Sequence, residues 1–222
     1  FAEHIMYLIP KQSDLMQLTG EPLKIHLRSA LQNLTRGSSD YDLNADRQSF
    51  NQRDLRGAAV LIAIQIRDGI PHIILTKRSY ALKNHPGQIA FPGGRRDDQE
   101  VDLSLTALRE CEEEIGVSRE TIKLIKPMSK LYIPPSDFWV QPFIGITHST
   151  PEFTPQVEEV AGIIEVPAKD LFAELHLKME TIETPSLGSV KAPVFDFQGN
   201  RVWGATALML YEMRQIIGKI IS

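Results

Sequence analysis

A run of glutamates between residues 110 and 114 carries the chain's strongest chemical signal, because four of these five side chains are carboxylates. Arg109 stands directly before the run, and Gly116 follows it closely. Neighbouring carboxylates repel one another unless a cation stabilises them. Such a density of acids is therefore typical either of a metal-binding element or of a solvated, acidic helix face.

The acids of this run are predicted to lie on a helix that the following glycine ends. At about 100° per residue, Glu110, Glu113 and Glu114 fall within an arc of roughly 100°, whereas Glu112 points away from them. Convergent carboxylate oxygens suit Mg²⁺ or Mn²⁺. The glycine pair at residues 93–94, just upstream, favours the metal site over the solvated face. We therefore predict Glu110, Glu113 and Glu114 as metal ligands.

Residues 109–117 read Arg-Glu-Cys-Glu-Glu-Glu-Ile-Gly-Val, which resembles the second half of the Nudix box. Gly94 and Glu100 have the spacing of the first half, but one residue more than usual separates Glu100 from Arg109. The resemblance implies an α/β fold, an α/β/α sandwich with a mixed β-sheet. It also implies an enzyme that uses Mg²⁺ or Mn²⁺ to hydrolyse a diphosphate linkage in a small-molecule nucleotide.

A second set of residues resembles the signature of the coenzyme A diphosphatase branch of that family. The set consists of Leu-Thr-Lys-Arg-Ser at residues 75–79, Gly87, and Phe-Pro-Gly-Gly at residues 91–94. Lys83 stands where the signature has an arginine, so the charge is kept and the planar guanidinium is lost. This resemblance implies that coenzyme A or its derivatives are cleaved to 3′,5′-ADP and 4′-phosphopantetheine.

The segment before the glutamate run is basic, since no acidic residue occurs between positions 70 and 96. Lys77, Arg78 and Lys83 in this segment are predicted to bind phosphates of the substrate. Gly93 and Gly94 are predicted to let the backbone approach the substrate closely. Scattered surface charge and simple helix entry are the alternative explanations.

Catalytic roles are predicted for three residues. Arg109 would orient a carboxylate through an ion pair, and a purely structural pair is the alternative. Glu113 would act as a third ligand or as the base. Glu159, or its neighbour Glu158, would supply a general base from a loop, as the resemblance implies.

Two other functions stay open at this point. The same glutamates would serve a Nudix hydrolase of another nucleoside diphosphate derivative, such as ADP-ribose, a nucleotide sugar, a dinucleoside polyphosphate or a capped RNA end. A Nudix domain that binds nucleotide without cleaving it is the other alternative. It has no need for all three acids, and this disfavours it.

Composition limits the partners and the compartment. The 222 residues have a net charge of −4, are 42% hydrophobic and 23% charged, and include one cysteine, Cys111. These values are typical of a soluble globular protein, and no nucleic-acid partner is expected because such partners favour a basic balance. No apolar run is long enough to cross a membrane. A single cysteine excludes an internal disulfide, so a cytoplasmic location is expected, with Cys111 buried.

The chain is predicted to consist of an N-terminal extension, residues 1–55, with a short helix and a polar linker, followed by the Nudix domain, residues 56–222. The extension would pack on the domain or mediate a homodimer. Strands are predicted over residues 58–66, 72–76, 89–91, 122–131, 138–147, 160–166, 190–197 and 201–203. Helices are predicted over residues 104–115, 167–175 and 205–217.

Overall fold

The structure is a computed structural model that describes residues 56–68, 70–133, 137–147, 152–184 and 188–221. The predicted extension, residues 1–55, lies outside the described residues. None of the helices in the described part of the chain has the length and apolar character needed to cross a membrane.

Eleven strands and two α-helices make up the described residues. The strands are β1 (Arg56–Arg67), β2 (Ile70–Arg78), β3 (Ile89–Ala90), β4 (Gly93–Arg95), β5 (Ile122–Pro127), β6 (Leu131–Ile133), β7 (Phe138–Thr147), β8 (Val160–Pro167), β9 (Leu177–Thr184), β10 (Gly188–Phe197) and β11 (Asn200–Val202). The helices are α1 (Leu103–Ile115) and α2 (Gly204–Ile221). Short 3₁₀ helices span Arg119–Thr121, Ala168–Leu171 and Glu174–His176.

The main sheet is mixed, with β1 at its centre. β1 runs parallel to β7 and antiparallel to both β2 and β4. β2 also pairs with β3 and β8, and β7 also pairs with β5 and β6, all antiparallel. A second, antiparallel sheet has the strand order β11-β10-β9.

Alternate residues of β1 enter two separate cores, as the two-residue period of a strand requires. Ile62 and Ile64 belong to one core, which also contains apolar side chains of α2, β10 and β11. Leu61 and Ala63 belong to the other, where they pack with buried residues of α1 such as Ala107, Cys111 and Ile115. The sheet therefore lies between two helical layers, which confirms the predicted α/β/α sandwich.

Helix α1 covers the predicted residues 104–115, begins one residue earlier, and ends at the predicted glycine. The Asp102 carboxylate accepts a hydrogen bond from the backbone N–H of Ser104 and caps the first turn. At the other end, Gly116 adopts the left-handed conformation with φ of 74°. These two signals set the length of the helix that carries the glutamate run.

Two predicted elements differ from the structure. The strand predicted over residues 122–131 is interrupted, because Met128 donates to the Pro142 carbonyl and Ser129 donates to the Glu212 carboxylate on α2. β5 is the first part of the predicted strand, and β6 begins at its last residue, Leu131. The helix predicted over residues 167–175 is instead two 3₁₀ turns, without a side-chain cap at either start. Strands β4 and β9 were absent from the prediction.

Candidate active site

Gly94 on β4 leaves the space that the Glu110 carboxyl group occupies. A Cβ atom on Gly94 would lie 2.4 Å from Glu110 Oε1 and 2.6 Å from Oε2, well inside contact distance. Gly93 approaches β1 in the same way, since its Cβ would lie 2.4 Å from the Ala59 carbonyl oxygen. The two glycines therefore let β4 pack tightly between β1 and α1. The contact of Gly93 and Gly94 with the substrate is not tested by this packing and stays a prediction.

Arg109 is the centre of an ion-pair network along α1. Its Nε donates to Glu100 Oε1 at 2.9 Å. Its Nη1 donates to Glu110 Oε1 and to Glu113 Oε2, both at 2.9 Å. Its Nη2 donates to the Arg95 carbonyl at 3.0 Å. Arg109 therefore fixes two of the three predicted metal ligands relative to β4.

Glu100 is the principal partner of Arg109, even though the loop between them has one residue more than the usual box. Hydrogen bonding to Arg109 is the main cause that lowers the pKa of Glu100 to about 2. Thr106 Oγ1 and the backbone N–H of Asp97 also donate to this carboxylate, at 2.6 and 2.9 Å. Glu100 therefore holds the arginine in place despite the additional residue between them.

Glu110 and Glu114 lie in a desolvated, negatively charged environment. Burial raises the pKa of Glu110, and the Arg109 guanidinium opposes that rise. Glu114 is only 4% exposed. Burial, with the charges of Glu110 and Glu159, raises its pKa to about 8, whereas Arg78 and a hydrogen bond from the backbone of Gly93 act in the opposite direction.

The segment of residues 152–159 brings Glu159 to the end of α1. The backbone N–H of Thr154 donates to the Ile115 carbonyl and that of Gln156 to the Glu114 carbonyl, both at 2.9 Å. The Glu159 N–H donates back to Gln156 at 3.0 Å. These bonds satisfy carbonyls that a helix end leaves unpaired. They also explain why the charge of Glu159 acts on both Glu110 and Glu114.

The loop of residues 79–88 borders the same acidic site. Its first backbone N–H, on Ser79, donates to the Glu159 carbonyl at 2.7 Å. Arg78, at the end of β2, acts electrostatically on Glu114, and its Nε has no hydrogen-bond partner within the described residues. Lys77 Nζ lies 5.4 Å from the centroid of the Tyr80 ring. Lys83 is exposed on the loop.

Other residues near the glutamate run face away from this site. Glu112 points away from the other three glutamates, as predicted, and accepts a hydrogen bond from Arg119 Nε at 2.6 Å. Cys111 is fully buried, and burial raises the pKa of its thiol to about 12. The Arg95 guanidinium lies 5.7 Å from the centroid of the Phe138 ring.

The family model for the NUDIX domain matches residues 55–187. The chain belongs to the Nudix hydrolase family.

The similarity of this Nudix hydrolase to its curated relatives covers most of this chain and most of each relative. It is 36% identical over 160 residues to a protein of Yersinia enterocolitica described as the uncharacterised Nudix hydrolase NudL, covering 71% of this chain and 80% of the relative. A protein of the same description from Pectobacterium atrosepticum is 33% identical over 162 residues, covering 71% and 81%. The solved structure of a MutT/nudix family protein from Enterococcus faecalis is 12% identical, with a TM-score of 0.49, covering 86% and 74%.

Nudix hydrolases generally use divalent metal ions, and the donor type at this site fits such an ion. Glu110, Glu113 and Glu114 offer hard carboxylate oxygens. Burial is the main cause that raises the pKa of both Glu110 and Glu114, and a divalent cation would favour their charged forms. In the described part of the chain, however, no three His, Cys, Asp or Glu side chains already form a metal-binding group. Glu113 instead directs Oε2 to Arg109.

Two features of the site were missing from the sequence prediction. The attachment of residues 154 and 156 to α1 uses backbone N–H groups, which leave no side-chain signature. Tyr80, whose ring lies near Lys77, was also overlooked, although it is only two residues beyond Arg78 of the predicted coenzyme A signature. An aromatic residue in a loop beside predicted phosphate ligands is the signal that would have indicated it.

Proposed function

We propose that this Nudix hydrolase cleaves the diphosphate of coenzyme A or its derivatives, with Mg²⁺ or Mn²⁺, to 3′,5′-ADP and 4′-phosphopantetheine. The observation that carries the proposal is the hydrogen bond between Ser79 and the Glu159 carbonyl. It joins the loop of the coenzyme A signature to the segment that brings Glu159 to α1. Cations of the signature and acids of the Nudix box therefore border one site.

Glu110, Glu113 and Glu114 would hold the divalent cation, which would neutralise charge on the phosphoryl oxygens and acidify the attacking water. Arg109 positions Glu110 and Glu113 through its two hydrogen bonds from Nη1. Glu100 in turn positions Arg109. A change in this network would displace the ligands without removing one of them.

The chain's own residues would also serve proton transfer and substrate binding. In the reaction, a water oxygen bonds to one phosphorus as the bridging anhydride bond to that phosphorus breaks. Glu159, whose charge already acts on Glu110 and Glu114, accepts the proton of the water. Arg78, whose buried Nε has no hydrogen-bond partner among the described residues, and Lys77 hold the phosphate oxygens. Lys83 provides a further positive charge at the rim of the site.

A substrate panel tests this function. The purified protein is incubated with Mg²⁺ or Mn²⁺ and, in parallel, with coenzyme A, ADP-ribose, a nucleotide sugar and a dinucleoside polyphosphate. Release of 3′,5′-ADP and 4′-phosphopantetheine, with coenzyme A the best substrate by kcat/KM, is the expected result. Preference for another member of the panel would keep the hydrolase and overturn the substrate. Binding without turnover of any member would favour the non-catalytic alternative.

A further inference from the structure

Tyr80 is an exposed aromatic residue at the edge of the acidic site. Its side chain is 69% exposed, although a tyrosine in a loop could have packed onto the neighbouring sheet. The residue before it, Ser79, is bonded to the Glu159 carbonyl, and Arg78 acts on Glu114. Tyr80 therefore comes, along the chain, directly after two residues that border the predicted catalytic groups.

The backbone of the loop is shaped around this ring. Gly87 has φ of 69°, and a Cβ atom there would lie 2.6 Å from Tyr80 Cε1. Gly87 is held by a hydrogen bond from its N–H to the Arg78 carbonyl at 3.1 Å, and the Arg78 N–H donates to Gln88 at 2.9 Å. Only glycine both adopts this conformation easily and leaves room for the ring. The aromatic side chain is thus supported by backbone while most of its surface remains open to solvent.

The ammonium group of Lys77 lies near the Tyr80 ring. Lys77 Nζ lies 5.4 Å from the ring centroid, within the range of a cation–π interaction. A flat aromatic surface beside an ammonium group matches a nucleotide, which has a flat base joined through its sugar to phosphates. Protein aromatics bind bases by stacking, and lysine binds phosphate as a point charge.

We propose that Tyr80 is the platform on which the adenine base of the substrate stacks, with Lys77 binding a phosphate of the same nucleoside. This inference deepens the proposed function and rests on it for the position of the diphosphate. Tyr80 then sets specificity for the adenosine half of the substrate. The pantetheine half extends from the other side of the diphosphate and does not contact the ring.

The test compares Tyr80→Ala, Tyr80→Phe and Leu175→Ala, the last removing an apolar side chain from a residue of similar exposure, 74%, on the 3₁₀ helix Glu174–His176. Binding of ADP and of 4′-phosphopantetheine is measured by calorimetry on each full-length protein, and kcat and KM are measured with coenzyme A. Unchanged melting temperatures verify that each variant is folded, as expected for exposed positions.

Tyr80→Ala is expected to weaken ADP binding and raise KM by about tenfold, in line with loss of one base–aromatic stack, while kcat changes less than about twofold. Tyr80→Phe and Leu175→Ala should retain wild-type values, and 4′-phosphopantetheine should bind all four proteins equally. Unchanged ADP binding in Tyr80→Ala would overturn the inference. So would a loss confined to 4′-phosphopantetheine, because the ring would then serve the pantetheine half.

The binding measurement separates this inference from the proposed function. If the wild-type protein fails to cleave coenzyme A but ADP binding depends on Tyr80, the platform stands and the substrate assignment falls. If coenzyme A is cleaved and ADP binding is indifferent to Tyr80, the function stands and the platform falls.

Discussion

The Glu110 carboxylate occupies the space that a side chain at Gly94 would need, because a Cβ atom there would lie 2.4 Å from Glu110 Oε1. The position of a predicted metal ligand therefore depends on the absence of a side chain on a neighbouring strand. Arg109, which bonds both the Glu110 carboxylate and the carbonyl of Arg95 next to Gly94, fixes the same arrangement from the other side.

Gly94→Ala is expected to lower kcat by about 100-fold, because the added methyl group displaces the Glu110 carboxylate and a shift of about 1 Å at a reacting centre can cost that much. Steady-state kinetics on coenzyme A measure the effect. Gly162→Ala is the matched control, since Gly162 is also on a strand but has no atom within 4 Å of an added Cβ. Equal activities of the two variants would mean that Glu110 can move freely.

Glu100→Gln is expected to destabilise the protein at neutral pH and to do so less as the pH falls. The pKa of Glu100 is lowered from 4.5 to about 2, so the folded state favours its charged form. That stabilisation is complete above about pH 4.5 and is lost as the pH falls through about 2. Melting temperatures of both proteins across this range measure the difference.

The control for this comparison is Glu120→Gln, which removes the same charge from an exposed position. Its melting temperature should differ little from that of the wild type. A difference between wild type and Glu100→Gln that stays constant from pH 7 to pH 2 would show that the charge of Glu100 does not stabilise the fold.

Cys111 is expected to be inert towards thiol reagents in the folded protein, because it is fully buried on α1. An Ellman's assay in buffer should show no reaction, and one thiol should react after addition of urea. A Leu175→Cys variant provides an exposed thiol that should react at once in buffer. Rapid labelling of the wild-type thiol before unfolding would indicate that α1 opens in the native state.

The bond between Ser129 and Glu212 is expected to stabilise the fold by joining the β5–β6 connection to α2. Ser129 donates to the nearly buried Glu212 carboxylate from both its backbone and its hydroxyl, the latter at 2.7 Å. Ser129→Ala should lower the free energy of unfolding by about 1–2 kcal/mol, measured in urea. Ser189→Ala, which removes a hydroxyl bonded to the exposed Glu183, should change it by less than about 0.5 kcal/mol. Similar values for both would contradict a specific role for Ser129.

The parts of the fold that local signals encode could be predicted from the sequence. Asp102 and Gly116 mark the ends of α1, and the 3.6-residue period separates Glu112 from the other acids of the run. Strand β9 has apolar residues at Leu177, Met179 and Ile182, which break the two-residue alternation. The sequence pattern therefore did not indicate a strand that pairs with β10.

The rest of the site depends on contacts between segments that are distant in the chain. The requirement for glycine at residue 94 comes from Glu110, which is 16 residues further on and meets β4. The interruption between β5 and β6 comes from Glu212, 83 residues beyond Ser129. Neither relationship has a signature within a short window of sequence.

The acidic face of α1 is proposed to carry the hydrolysis of coenzyme A, and one pair of variants tests this role most directly. Glu114→Gln removes a predicted ligand, whereas Glu112→Gln removes an equal charge from the same helix where it pairs with Arg119. With coenzyme A and Mg²⁺, Glu114→Gln should lower kcat/KM by about 100-fold or more, and Glu112→Gln should leave it within about twofold. Equal losses in both variants, or no loss in Glu114→Gln, would contradict the account.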